Sequence, residues 1–408
     1  MTIEPPRLPP PRVSEILAHA WPDNLANGVG AFLWAVAGPG AIILAVATAA
    51  GLDQTTISSW LLAAYGLGGA LSIVTSVLYR QPLVIGYSIP AVVLIGPALE
   101  KYAFAEVVGA YVATGLLILL LAATGLIRRA TAALPMPIVM AMVAGVFLPF
   151  GVRLVAAFGE ALWISSAMVA AFLAASTVAA LRRLFPPILA ALIAGVIVAA
   201  AGGQLAPTLP FDVALARPVV HLPAFSWPAL AELVIPLTVT VIGIHNPQGF
   251  AILRQAGYPP PERMITLLCG VATLAYGVLG CVPTVITGPV NAMLNASGPP
   301  AHRYVGAIWL GLFFLTFGIM APTAVALALA IPQTMIGVMA GLAMIAVLKS
   351  AFTAAFAGRF ATGAVVAFLV TVASVSIFNI GAAFWGLVFG LAVSRIVEPG
   401  DFSDLHKR

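Results

Sequence analysis

The sequence predicts an all-α polytopic membrane protein. Of its 408 residues, 62% are hydrophobic and 8% charged, against about 25% charged in soluble domains. Apolar stretches recur from residue 24 to the C-terminal tail, and Lys and Arg gather on alternate connections between them. A hydrocarbon core of roughly 30 Å takes about 20 residues of helix, and in lipid every backbone polar group must be paired internally. Helices meet that demand here, because barrel strands would run to about 10 residues and alternate in polarity.

Taken in order, residues 1–23 form a proline-rich tail, MTIEPPRLPPPR at its start, without the charged and then apolar regions of a cleaved signal. Seven spans follow at 24–50, 57–78, 82–98, 105–126, 134–155, 161–181 and 185–203. The first carries Gly38-Pro39-Gly40. In the second, Gly66, Gly68 and Gly69 permit close helix packing. Arg128-Arg129 and Arg182-Arg183 read as positive-inside anchors after the fourth and sixth. The longest outside connection, 204–228, expected on the extracytoplasmic side, contains Pro207, Pro210, Pro218, Pro223 and Pro228 and divides the spans seven and seven. The second set is 229–253, 264–280, 283–298, 304–330, 332–350, 362–378 and 380–396, with a tail at 398–408. On this scheme fifteen Lys and Arg fall on one side and three, Lys101, Arg153 and Arg217, on the other. Both termini are therefore expected in the cytosol of an inner or plasma membrane protein.

The two halves resemble each other. PLVIGYSIPA from Pro82 matches PTVITGPVNA from Pro283, LPMPIVMAMVAG from Leu134 matches IPQTMIGVMAG from Ile331, and GPGAIILAVATAAG from Gly38 matches NPQGFAILRQAG from Asn246. All three pairs lie about 200 residues apart, as an internal repeat requires. Seven is odd, so the second copy is expected upside down in the membrane. Pro90 and Pro289 lack the N–H a helix interior needs and suit a first turn. Spans three and ten are thus predicted as short extended stretches, each followed by a half-helix. Facing half-helix N-termini would favour an anion between them.

Residues Val241 to Phe250, VIGIHNPQGF, put His245, Asn246, Pro247 and Gln248 in the middle of an apolar span. Polar side chains at that depth find partners or serve a cavity. The acidic residues fall in tails, loops or span ends, and none lies between 263 and 397. That absence favours a carboxylate or other small anion over a nucleobase. His245 titrates nearest neutrality; it either carries a coupling proton or only hydrogen-bonds, and a carboxylate substrate could bring its own proton. Tyr87, Phe250 and Tyr276 offer contact for a ring. Cys269 and Cys281 read as small buried hydrophobes, so neither metal, cofactor nor disulfide framework is implied. No catalytic motif is present. The net charge of +5 is scattered along short loops, which argues against nucleic acid. Asn295-Ala296-Ser297 fits the glycosylation pattern but falls at a cytosolic end.

AVVAFLVTVASVSIFNIGAAFWGLVFG from Ala364, GFAILRQAGYPPP from Gly249, DNLANGVGAF near the start and PPAH at Pro299 to His302 resemble the benzoate/proton symporter family, a relative of the uracil-permease-type and sulfate and bicarbonate carriers. The resemblance spans most of the chain. It implies a seven-plus-seven inverted-repeat fold, with a core domain from 24–126 and 229–330 and a gate domain from 127–203 and 331–397 that often dimerises. It also implies proton-coupled symport of an aromatic carboxylate by an elevator-like motion. The partners are then a small organic anion, protons, membrane lipids and a second copy at the gate domain. Substrate-binding candidates are Tyr87, Ser88, Pro90, His245, Asn246, Gln248, Thr287, Gly288 and Asn291, with Gly38, Pro39 and Gly40 contacting the site from span one. Departures from the family pattern are Ile244-His245-Asn246-Pro247-Gln248-Gly249, where the family has Ser-Gln-Asn-x-Pro-Gly, and Gly38-Pro39-Gly40, where it has a Thr-Ser-Ser-like run. Alternatives on the same fold are a nucleobase symporter of uracil or xanthine type and a bicarbonate or sulfate transporter.

Overall fold

The computed structural model of the protein describes residues 3–20, 22–127, 135–178, 186–205 and 214–403. Arg128, Arg129, Leu134, Arg182, Arg183, Pro207, Pro210, Lys407 and Arg408 lie outside them. The chain is an integral membrane protein, mostly helical, and seven of its described helical stretches are long and apolar enough to cross a bilayer unaided.

The first half comprises α1 (Val13–Ala18), α2 (Asp23–Ala37), α3 (Pro39–Ala49), α4 (Gln54–Leu61) running through a π-helical turn (Leu62–Leu67) into α5 (Gly68–Tyr79), β1 (Ile85–Tyr87), α6 (Ile89–Leu99), α7 (Phe104–Thr124), α8 (Met136–Glu160), α9 (Leu162–Thr177) and α10 (Pro187–Ala201). The second comprises α11 (Trp227–Val239) running through another π-helical turn (Thr240–His245) into α12 (Asn246–Gln255), α13 (Glu262–Val278), β2 (Thr284–Ile286), α14 (Gly288–Leu294), α15 (Tyr304–Ile319), α16 (Ala321–Leu329), α17 (Gln333–Ala355), α18 (Ala361–Val372), α19 (Ala382–Val397) and α20 (Pro399–Ser403).

The segments predicted as spans three and ten are interrupted. β1 pairs antiparallel with β2, Ile85 opposite Ile286 and Tyr87 opposite Thr284, so the chain enters α6 and α14 from opposite ends of one short ribbon. Both strands are fully buried, the condition under which non-helical backbone survives at membrane depth. The segment predicted at 362–378 stops earlier, at Val372, because Ser374, Phe378 and Asn379 take left-handed backbone that no helix continues through. Likewise 304–330 breaks at Met320, ahead of Pro322 in the first turn of α16.

Helices α8 to α10 and α17 to α19 pack mainly among themselves, and α2 to α7 with α11 to α16 form the other body. The two meet where α3 lies on α17, α6 on α8, α2 on α10 and α11 on α19. At the last contact Glu232 of α11 is 5% exposed. Its carboxylate accepts from Tyr102 Oη at 2.8 Å and Gly381 N at 2.6 Å, and Lys101 Nζ lies 3.7 Å away. Although Glu232 sits near a span end, it is a buried acid tying the two bodies together, and its pairing is what makes burial tolerable.

Outside the membrane, Asp53 caps α4 by accepting from Thr55 N and Thr56 N, both at 2.9 Å. Bonds from Thr55 and Thr56 hold its carboxyl down at about 2. A group so depressed stabilises the fold above its ordinary carboxylate range and loses that contribution as pH falls toward 2. Asp53→Ala is expected to cost about 1 kcal/mol at neutral pH, read as a lower melting temperature that converges with wild type on acidification.

Candidate functional site

Each break in the helices has a covalent cause and a polar repair. Pro39 opens α3 after Gly38. The N–H it lacks would have met the Ala35 carbonyl, and Tyr65 Oη donates to that carbonyl instead at 2.8 Å. Tyr65 sits in the first π-helical turn and His245 ends the second; such turns insert a residue and concentrate at functional positions. Tyr87 Oη lies 2.9 Å from Tyr65 Oη. With the Tyr65 proton spent on Ala35, Tyr87 is the donor in that pair and turns its lone pairs elsewhere.

Ser88 caps α6, accepting from Ala91 N at 3.2 Å, and donates to Thr240 Oγ1 at 3.0 Å. Thr240 Oγ1 in turn donates to the Leu237 carbonyl at 2.7 Å. This chain ties the β1–α6 break to the turn that carries His245. The Thr240 carbonyl lies 3.1 Å from His245 Nδ1. A carbonyl only accepts, so Nδ1 carries the proton. Nε2 has no hydrogen-bond partner among the described residues.

These features border a cavity of about 450 Å³, within the roughly 300 to 1,000 Å³ of small-molecule sites. Tyr87, Pro90, His245, Gln248, Thr287, Gly38 and Pro39, all expected from sequence, line it. Gln248 lies over Gly288, where a Cβ would come within 2.9 Å of the amide carbon; Gly288 is therefore a floor and not itself exposed to the cavity.

Four expected residues stand behind the wall. Ser88 spends its hydroxyl as described. Asn246 Oδ1 accepts from Ile286 N at 3.1 Å and Asn291 Oδ1 from Val84 N at 3.2 Å. The two asparagines thus brace the crossing strands, one against each. Gly40 lies under Tyr65, leaving 3.0 Å between its missing Cβ and the hydroxyl. Phe250 and Tyr276 do not reach the cavity: Phe250 packs with Leu83, Ile85 and Ile286, and Tyr276 is fully buried in the main core.

Sequence reasoning overlooked the aromatic wall. Trp34, Tyr65 and Phe314 line the same cavity, with the Tyr65 ring edge-on to Tyr87 at 5.6 Å and to Phe314 at 5.1 Å. Phe172 of α9, Met140 and Val143 of α8, and Leu342 and Val347 of α17 close the opposite side. The available signal was Tyr65 itself, a polar-tipped ring in mid-span beside Gly66. The result is an apolar, ring-lined chamber with a few polar atoms along one side.

A membrane-embedded chamber at the meeting of two broken helices, walled by two helical bodies, has the architecture of a transporter, and the family match points to a transporter family as well. The family model described as benzoate membrane transport protein matches residues 18–396, and the chain belongs to that family. The inner membrane protein YdcO of Escherichia coli (strain K12) is 30% identical over 378 residues, 90% of this chain and 94% of that protein. The benzoate membrane transport protein of Acinetobacter baylyi (strain ATCC 33305 / BD413 / ADP1) is 28% identical over 383 residues, 91% of this chain and 94% of that protein. Among solved structures, the transmembrane domain of a cyanobacterial bicarbonate transporter, BicA, superposes with a TM-score of 0.59 at 15% identity, covering 94% of this chain and 99% of that one. SLC26A9 gives 0.65 at 13%, covering 95% and 66%. At those identities the likeness is one of fold.

Proposed function

We propose that the protein is a proton-coupled symporter of an organic carboxylate, benzoate or a related aromatic acid. The observation that carries this reading is the chamber's composition: Trp34, Tyr65, Tyr87 and Phe314 suit a ring, while His245 and Gln248 stand beside it for a carboxylate. Aromatic pairs of this kind contribute about 0.5 to 1.5 kcal/mol beyond area burial. The N-terminus of α6, opened by Pro90 at the wall, adds a favourable field for an anion. The relative named for benzoate transport supports the same substrate class.

On this reading the chain has fourteen spans in two inverted repeats, consistent with the antiparallel β1–β2 pair and the paired breaks. Residues 24–126 and 229–330 make the core domain that carries substrate, and 127–203 and 331–397 make the gate. The core moves against the gate as an elevator, both termini are cytosolic, and gate domains pair in a homodimer. The chamber reaches Pro187 and Ser350, beside Lys349 on the cytosolic side of this topology.

The test is binding and uptake with purified protein. Benzoate should raise the melting temperature and saturate at micromolar to millimolar concentration, aliphatic acids should bind more weakly, and uracil and xanthine should not bind. In proteoliposomes an inward proton gradient should drive benzoate accumulation. Binding of a nucleobase without benzoate, or gradient-independent benzoate flux, would overturn the substrate or the coupling respectively.

A further inference from the structure

A second cavity, about 640 Å³, lies between the same two bodies. The two chambers are stacked along the same four helices. α3 gives Ile42 to the first and Val46 to the second, and α8 gives Val143 and then Val146. α6 follows with Pro90 and Val93, and α17, running the other way, with Ala343 and Ala340. In every case the step is three or four residues, one helical turn or about 5 Å. What separates the cavities is thus a single apolar layer, with Ile42, Val93 and Val143 each no more than 3% exposed.

Beyond that layer the α8 stripe continues through Phe150 to Arg153. Arg153 is exposed and, among the described residues, has no ion pair or hydrogen bond. Among the described residues it is the one cation lining this cavity, and Glu100, at the end of α6 on the opposite body, is the one anion. The neighbouring Lys101 is already engaged with Glu232. Arg153 and Glu100 therefore set the field of the chamber from opposite walls.

We propose that this cavity is the extracytoplasmic vestibule of the transport path and that Arg153 collects the carboxylate substrate there before the apolar layer opens. The inference rests on the reading above for its substrate and topology. A guanidinium offers two parallel donors to a carboxylate. Exposed and screened by salt, it acts on encounter more than on final affinity. Glu100 opposes it.

Two measurements test this. In proteoliposomes at low salt, Arg153→Gln should lower kcat/KM for benzoate uptake roughly threefold or more while leaving the maximal rate. Glu100→Gln should raise kcat/KM, and both differences should shrink in high salt. Equal kcat/KM in all three proteins, or a loss independent of salt, would overturn the proposal. The second measurement needs no substrate. Ala49 is exposed at the vestibule wall, while Cys269 and Cys281 are fully buried. Ala49→Cys should react with membrane-impermeant thiol reagents from the extracytoplasmic side. The preference for an anionic over a cationic reagent should fall roughly threefold when Arg153→Gln is added. Labelling only from the cytosolic side, or an unchanged preference, would refute the vestibule even if benzoate is the substrate. Failure of wild-type protein to bind benzoate would refute the substrate reading while the labelling still reads the vestibule.

Discussion

Gly69→Val is expected to abolish folded protein. A Cβ at Gly69 would stand 2.8 Å from Leu315 N and closer still to the Gly311 carbonyl; one at Gly311 would stand 2.8 Å from the Gly69 carbonyl. The obstacles are backbone, so no rotamer change relieves them. Overpacking against side chains costs typically 1 to 3 kcal/mol, and here α5 and α15 must separate. That displacement would carry away Phe314 and the turn holding Tyr65, which form one wall of the chamber. The measurement is monodisperse yield after detergent extraction, with Gly30→Ala, at a position with open space around its Cβ, as the control that should fold. Normal yield and melting temperature for Gly69→Val would show that the seam is looser than the geometry states.

The breaks were legible because proline removes an N–H, and that loss is chemical and local: Pro90 and Pro289 locate the starts of α6 and α14 directly. The polar cluster at His245 to Gln248 was legible as an anomaly, but its division of labour was not. Sequence shows that an asparagine in lipid needs a partner; it does not show whether that partner is ligand or backbone. Asn246 and Asn291 find backbone N–H groups 40 and 207 residues away, contacts that exist only after the strands cross. Tyr65 was hidden for a similar reason, since its value depends on the Ala35 carbonyl that Pro39 leaves open. Glu232 reads as a span-end acid until Gly381, 149 residues on, closes over it. The π-helical turns have no residue signature that the 3.6-residue periodicity can expose.

The second large effect concerns the proton. His245 Nδ1 donates to the Thr240 carbonyl, which leaves Nε2 of the neutral ring as a bare lone pair. A carboxylate approaching it would set lone pair against lone pair. One proton must therefore stand between them, carried either by the ring or by the acid, and binding takes up that proton in both cases. Benzoate affinity should tighten as pH falls, by up to about tenfold per unit between about pH 6 and 8. His245→Gln supplies an amide N–H without any proton from solution, so affinity should persist with its pH dependence lost and gradient-driven accumulation gone. His245→Leu removes the partner that shares the proton and leaves the carboxylate only Gln248 and the α6 N-terminus, and affinity should fall by at least about tenfold. Titration calorimetry in buffers of different ionisation enthalpy reads the proton directly. One proton taken up by wild type and none by His245→Gln is the expected result. Equal uptake in both would move the coupling proton off His245, and no uptake in either would end the case for coupling at this chamber.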